Sequence, residues 1–166
     1  MENKKDYSII IGGAAGQGSR KAGLIIAKIF NNLGYNVFIS EDYQSLIKGG
    51  HNFSIIRVSE EKHDSIKEKA DFLLALDSNT IEKHEKLLNK KSLIVFNSDK
   101  VKRDDGIGIA SETITKELGG IPVMSNTALI AGFSKALGIE WNVLEDSLRK
   151  ELGKGIEKNL EIAKRA

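Results

Sequence analysis

The chain alternates between short runs of β-branched apolar residues and longer stretches whose apolar positions recur at helical spacing. Ser8-Ile9-Ile10-Ile11 is the first run. It ends in Gly12-Gly13-Ala14-Ala15-Gly16-Gln17-Gly18, the pattern of a buried strand entering a tight loop. A helix is predicted next, with Ala22, Ile25, Ile26, Ile29, Phe30 and Leu33 on one side, Arg20, Lys21, Lys28 and Asn32 on the other, and Gly34 as its stop. Asn36 to Ser40 reads as the second strand, so residues 8–40 form one strand–loop–helix–strand unit with parallel strands and a right-handed crossover. Glu41 to Gly50 is predicted irregular and His51 to Ser59 a partly alternating strand. The runs Phe72–Leu76 and Leu93–Phe96 bracket a helix carrying Ile81, Leu87 and Leu88. Short late strands are predicted at Ile107–Ala110 and Ile121–Met124, and a helix over Asn126–Leu137 with Gly138 as stop. Two closing helices carry Trp141, Leu144, Leu148 and Leu152, then Ile156, Leu160 and Ala163, with Trp141 read as core. The predicted fold is α/β: one domain over 1–166, a mostly parallel sheet with helices on both faces, a Rossmann-like strand–glycine loop–helix start and a helical C-terminus.

A chain of 166 residues has the length of one domain with an ordinary core, and 40% apolar with 29% charged residues indicates that it folds. Twenty-five basic against 23 acidic residues leave a net charge of +2, too balanced for a non-specific nucleic-acid binder. With no cysteine, thiolate nucleophiles, iron–sulfur ligation and cysteine-based zinc sites are all excluded, so the chain carries no electrons itself. No apolar run is long enough for a membrane helix and no apolar leader precedes Ser8, which makes the cytoplasm the expected compartment. There is no internal repeat, and the mixed charges of Glu60–Lys69 read as a solvated connection.

Two loops hold the candidate chemistry. The first, with Gly13, Gly16 and Gly18 spaced G-x-x-G-x-G, lets a ligand approach the backbone and the free N–H groups of the following helix, which suits an anion. That spacing differs from the dinucleotide G-x-G-x-x-G and lacks the Lys-Ser/Thr of a P-loop, and a plain turn between strand and helix is the alternative. Glu41 or Asp42 at the end of the second strand is placed as a ribose-binding acid would be, so a nicotinamide reading stays open. The second loop, Tyr43-Gln44-Ser45-Leu46-Ile47-Lys48-Gly49-Gly50-His51, is predicted on the same carboxyl edge of the sheet, facing the first. It offers the Lys48 charge, the Gly49 and Gly50 N–H groups and the hydroxyls of Tyr43 and Ser45. His51, His63 and His84 lie too far apart in sequence for an i, i+4 ligand pair, Asp104-Asp105-Gly106 is a turn signal, and Ser19 and Ser45 have no neighbouring base, so metal and hydrolase chemistry are not expected.

The residues resemble the gamma subunit, or gamma domain, of 2-oxoacid:ferredoxin oxidoreductases, including the form fused to the alpha subunit. The likeness is carried by Ile11–Gly18 with Ala22-Gly23, by Tyr43–Asn52 with Ile56-Arg57-Val58, and by Asn126-Thr127-Ala128-Leu129 with Asn159-Leu160 and Ala163, in the family's order over nearly the whole chain. The resemblance implies a complex in which alpha and beta subunits and a ferredoxin-type subunit, or ferredoxin itself, hold thiamine diphosphate, magnesium and iron–sulfur clusters and oxidatively decarboxylate a 2-oxo acid to an acyl-CoA. This chain would then carry no catalytic residue and no tightly held cofactor. It would contact coenzyme A through Gly13, Gly16, Gln17, Gly18, Lys48, Gly49 and Gly50, with Ser19, Tyr43, Ser45, His51 and Asn126 completing the candidate set. Neither nucleic acid nor membrane is an expected partner, and a homodimer of the isolated chain is compatible with the reading. The fused relatives usually show Tyr-Pro-Ser-Arg-Ile-Arg-Gly-Gly-His where this chain has Gln44, Leu46 and Lys48 in place of the proline and both arginines. Losing a bidentate donor weakens anion recognition by roughly 1–3 kcal/mol if those arginines bind one. A nicotinamide- or flavin-binding domain and a non-catalytic interaction module are the rival readings.

Overall fold

The computed structural model describes residues 5–43 and 50–166. Six strands form one sheet: β1 (Asp6–Ala14), β2 (Asn36–Tyr43), β3 (His51–Ser59), β4 (Ala70–Ala75), β5 (Leu88–Asn97) and β6 (Ile107–Ile109), in the order β2-β3-β1-β4-β5-β6. β1 runs parallel to β4, β4 to β5 and β5 to β6, while β3 runs antiparallel to both β1 and β2. Five strands therefore share one direction and the sheet is mostly parallel, as predicted. The predicted opening unit differs in one respect: β1 and β2 point the same way, but β3 is inserted between them. The reason is the short link over residues 44–50, which lets the chain turn back antiparallel beside β2 but not cross to a parallel neighbour.

Ile9, Ile10 and Ile11 are all 2% exposed or less, because β1 lies centrally and is covered on both faces. Ile9 and Ile11 join Ile56, Val58, Leu74 and Val95 under α1 (Ser19–Asn32), α4 (Ser125–Ala136), α5 (Trp141–Glu151) and α6 (Ile156–Arg165). Ile10, Leu73, Ala75, Ile94 and Phe96 face the other way, against Ile81 of a short helix on that side, α2 (Ser78–His84).

Several details depart from the sequence reading, among them Glu41–Tyr43, which belong to β2 and not to an irregular segment. Residues 121–124 are no strand: Pro122–Met124 is a 3₁₀ turn, since Pro122 has no N–H to give a ladder and suits the first turn of a helix. The helix between β4 and β5 stops at His84, Glu85–Leu87 is a 3₁₀ turn, and Leu88 already belongs to β5. A helix absent from the sequence reading, α3 (Ser111–Glu117), starts where Asp99 Oδ2 accepts the Glu112 and Thr113 N–H groups at 2.8 and 3.0 Å. Its cap comes from another segment, so no local signal marks it. Glu60–Lys69 is a largely exposed connection, as expected, anchored where Arg57 makes a two-pronged bond to Asp6 at 3.0 Å and Lys67 reaches Asp71 at 3.1 Å. Trp141 is half-buried against the core rather than within it, its Nε1 donating to Glu145 at 2.7 Å.

Candidate functional site

The parallel strands β1, β4 and β5 end at one edge of the sheet, at Ala14, Ala75 and Asn97, and the reversed β3 begins there at His51. Ala14 lies opposite His51 and Tyr43 opposite Asn52, so the first loop and both flanks of the second emerge side by side. They touch: the Ala15 N–H donates to the Gly50 carbonyl at 2.5 Å. Of the second loop's candidates, Ser45, Lys48 and Gly49 lie outside the described residues, as does the side chain of Tyr43.

The first loop is held from three directions. The Ala14 N–H is shared between Gln17 Oε1 at 2.7 Å and Asp77 Oδ2 at 2.9 Å, the Gln17 N–H returns to the Ala14 carbonyl at 3.0 Å, and Asn126 Nδ2 donates to the Gln17 carbonyl at 2.5 Å. Gly16 and Gly18 adopt φ of 93° and 78°, a region where side chains are strained. A Cβ on Gly18 would also stand 2.8 Å from Val123 and 2.9 Å from Asn126 Nδ2. Gly13 is packed as tightly, since a Cβ there would overlap Gln17 Oε1 and Leu76.

Beyond this loop α1 starts with Gly18 at its N-cap, no side-chain cap and no acidic residue in its first turn. The first turn instead holds buried Ser19 and the cations Arg20 and Lys21, which reach Glu41 at 3.3 Å and Glu151 at 3.5 Å. The N–H groups of the first turn and the positive dipole end favour an anion at this place, while Arg20 and Lys21 are engaged by carboxylates. Beside it a cleft of about 100 Å³ is lined by Gly16, Gln17, Asn97, Lys100, Glu112 and Asn126, among others. Asn126 is 5% exposed and, among the described residues, its Oδ1 is buried without a hydrogen-bond partner. Lys100 and Glu112 pair at 2.6 Å across the cleft's wall, and Asn97 Nδ2 donates to Glu112 at 3.2 Å.

His51 sits beneath this edge. Its Nε2 lies 2.9 Å from Nε2 of His84, and both rings pack on Phe53, stacked at 5.6 Å and edge-on at 4.5 Å. Burial pushes the pKa of His51 down against the pull of Asp77. His84 is lowered to about 4, by burial first and then by His51. The fold thus joins two histidines that sequence spacing kept apart, although among the described residues no group of three or more metal-ligating side chains forms. Asp77 was absent from the sequence reading, and His84 entered it only as a histidine too distant from His51 for a ligand pair. Asp77-x-x-Thr80 is a legible helix start, but its reach to Ala14 spans 63 residues and has no local signature.

Residues 8–166 match the profile of the pyruvate ferredoxin/flavodoxin oxidoreductase family. The chain belongs to that family. Its relatives include the 2-oxoglutarate synthase subunit KorC of Archaeoglobus fulgidus, 28% identical over 155 residues that cover 92% of this chain and 82% of that one. The fold recurs in the gamma subunit of a keto/oxoacid ferredoxin oxidoreductase from Geobacter sulfurreducens, with a TM-score of 0.80, 21% identity, and coverage of 96% of this chain and 93% of that one. It recurs also in the 2-oxoglutarate:ferredoxin oxidoreductase of Magnetococcus marinus solved with 2-oxoglutarate, coenzyme A and succinyl-CoA, with a TM-score of 0.83 and 22% identity, over 98% of this chain but 30% of that longer one. The family fold therefore occurs both as a free chain and within a longer polypeptide. Among the described residues of this family member no helix is long and apolar enough to cross a membrane.

Proposed function

We propose that this chain is the gamma component of a 2-oxoacid:ferredoxin oxidoreductase, lending a coenzyme A contact surface to a reaction whose reactive groups reside on alpha and beta partners. Family membership over residues 8–166 makes it an oxidoreductase component. The observation that carries the finer reading is the junction of the two loops through Ala15 and Gly50 in front of the uncapped N-terminus of α1. A diphosphate fits N–H groups and a positive helix end, and the cleft lined by Gly16, Gln17 and Asn126 beside them gives the rest of such a ligand a place to lie. That a neighbour with the same fold was solved with coenzyme A bound supports the ligand class.

On this reading Gly16, Gly18 and Ser19 receive the phosphates from backbone and hydroxyl, Lys48 adds charge from the second loop, and Asn126 lines the cleft for the rest of the ligand. The chain binds and orients; thiamine diphosphate and iron–sulfur chemistry belong to the partners. With no cysteine it supplies no thiolate for a cluster. A dinucleotide site is disfavoured because β3 separates β1 from β2, so Glu41 and Asp42 do not stand on the strand next to the glycine loop, and Glu41 is paired with Arg20.

The test is hydrogen exchange on the complex purified with its co-expressed partners in the cytoplasm of the host, with coenzyme A, NADH or FMN added. Slowed exchange at residues 13–18 and 43–51 with coenzyme A alone is the expected outcome. Protection by NADH or FMN instead, or by none of the three, refutes the reading.

A further inference from the structure

We propose that α2 is a clamp that fixes the spacing of the two loops, with Asp77 and His84 as its positioning residues. The inference rests on the coenzyme A reading of those loops. The helix grips the same ladder rung from both of its ends. At its start Asp77 Oδ1 accepts the Thr80 N–H at 2.9 Å and the Thr80 hydroxyl at 2.8 Å, while Oδ2 accepts the N–H of Ala14, where the first loop opens. At its last residue His84 meets His51, the residue opposite Ala14 and the exit of the second loop. Between the grips α2 lies directly on β1: a Cβ on Gly12 would stand 2.9 Å from Thr80 Cγ2 and 3.0 Å from His51 Cε1.

Both contacts exceed what stability alone requires. A serine at position 77 would cap α2 as well as an aspartate, so the second carboxylate oxygen, committed to Ala14, is surplus to capping. The histidine pair is a poor core device. With Nε2 of one neutral ring donating to Nε2 of the other, the acceptor must be the Nδ1–H tautomer, which leaves one bare Nδ1 and one Nδ1–H, both buried without partners. Two apolar rings would avoid both orphans. A directional bond between two aromatic side chains instead sets one distance and one angle between α2 and the first residue of β3. Together the two grips make the loop separation a property of one rigid element on the face opposite α1.

The experiment uses the assembled complex, with 2-oxo acid oxidation followed at varied coenzyme A. Asp77→Ser keeps the cap and loses the Ala14 contact, and His84→Phe keeps the ring volume against Phe53 and loses the bond to His51. Each is expected to raise the KM for coenzyme A about tenfold, the equivalent of one lost hydrogen bond, while kcat at saturating coenzyme A and KM for the 2-oxo acid stay within about twofold. If coenzyme A shields residues 13–18 in the wild-type complex but the variants keep the wild-type KM, or lose kcat and both KM values together, the clamp is refuted and the reading beneath it stands. If coenzyme A shields nothing in the wild type, that reading falls and the clamp falls with it. Should His84→Phe not assemble, Asp77→Ser decides.

Discussion

Acidification gives the most direct measure of the buried histidine pair. His84 and His51 are 4% and 6% exposed, and the His84 pKa lies at about 4 against an ordinary 6.5. A histidine lowered in this way binds its proton more readily in the unfolded chain. Its contribution is therefore complete above the unfolded value and is lost as the pH falls from 6.5 toward 4. Working the two values through the linkage relation, moving from pH 7 to pH 5 removes about 2 kcal/mol through His84 alone, and His51 adds in the same direction. The window is selective, because Asp6, Asp99, Asp105 and Glu145, all lowered in the fold, have ordinary values of 3.8 to 4.5 and act at lower pH. Urea unfolding at half-unit steps between pH 7 and pH 5 provides the assay, with His84→Phe as the comparison. The wild type should lose stability across the window, and the variant should lose less than half as much. Equal pH dependence in the two proteins, or a flat wild-type profile, would contradict the assignment of a buried neutral pair.

Other substitutions probe the scaffold. Gly18→Ala places a side chain at φ 78° and against Val123 and Asn126, and should cost about 1–3 kcal/mol in thermal unfolding. Asp99→Ala removes the acceptor for the Glu112 and Thr113 N–H groups and should lower the melting temperature by about 3 °C, through a cost near 1 kcal/mol, with faster amide exchange confined to 111–117. Leu148→Ala, at a position of α5 with no exposure in the larger core cluster, should cost about 2–5 kcal/mol in urea unfolding.

Much of the scaffold was legible because its signals are local. Ile9–Ile11 reads as a doubly covered strand, and Ala22 to Leu33 carries its stripe and its glycine stop at Gly34. The two loops were placed on one edge by the rule that successive strands of an α/β sheet end together, and the Ala15–Gly50 bond bears that out. What stayed hidden depends on distant partners. The place of β3 between β2 and β1 follows from the short link to β2 together with a long-range pairing to β1 that no local feature of His51–Ser59 marks. The start of α3 is supplied by Asp99, and the meeting of His51 with His84 follows from α2 lying across β1. Residues 121–124 misled because an apolar run around a proline reads as extended until its missing donor is counted.

The inserted strand has a bearing on how such chains diversify. Residues 44–50 connect neighbouring rungs of one antiparallel pair, with Tyr43 facing Asn52, instead of spanning from a strand to a helix across the sheet. Their length and sequence can change without shifting any helix on either face. Exchange of the segment holding Gln44, Leu46 and Lys48 for one bearing arginines is thus a change confined to the link between two paired strands, which the rest of the molecule need not follow.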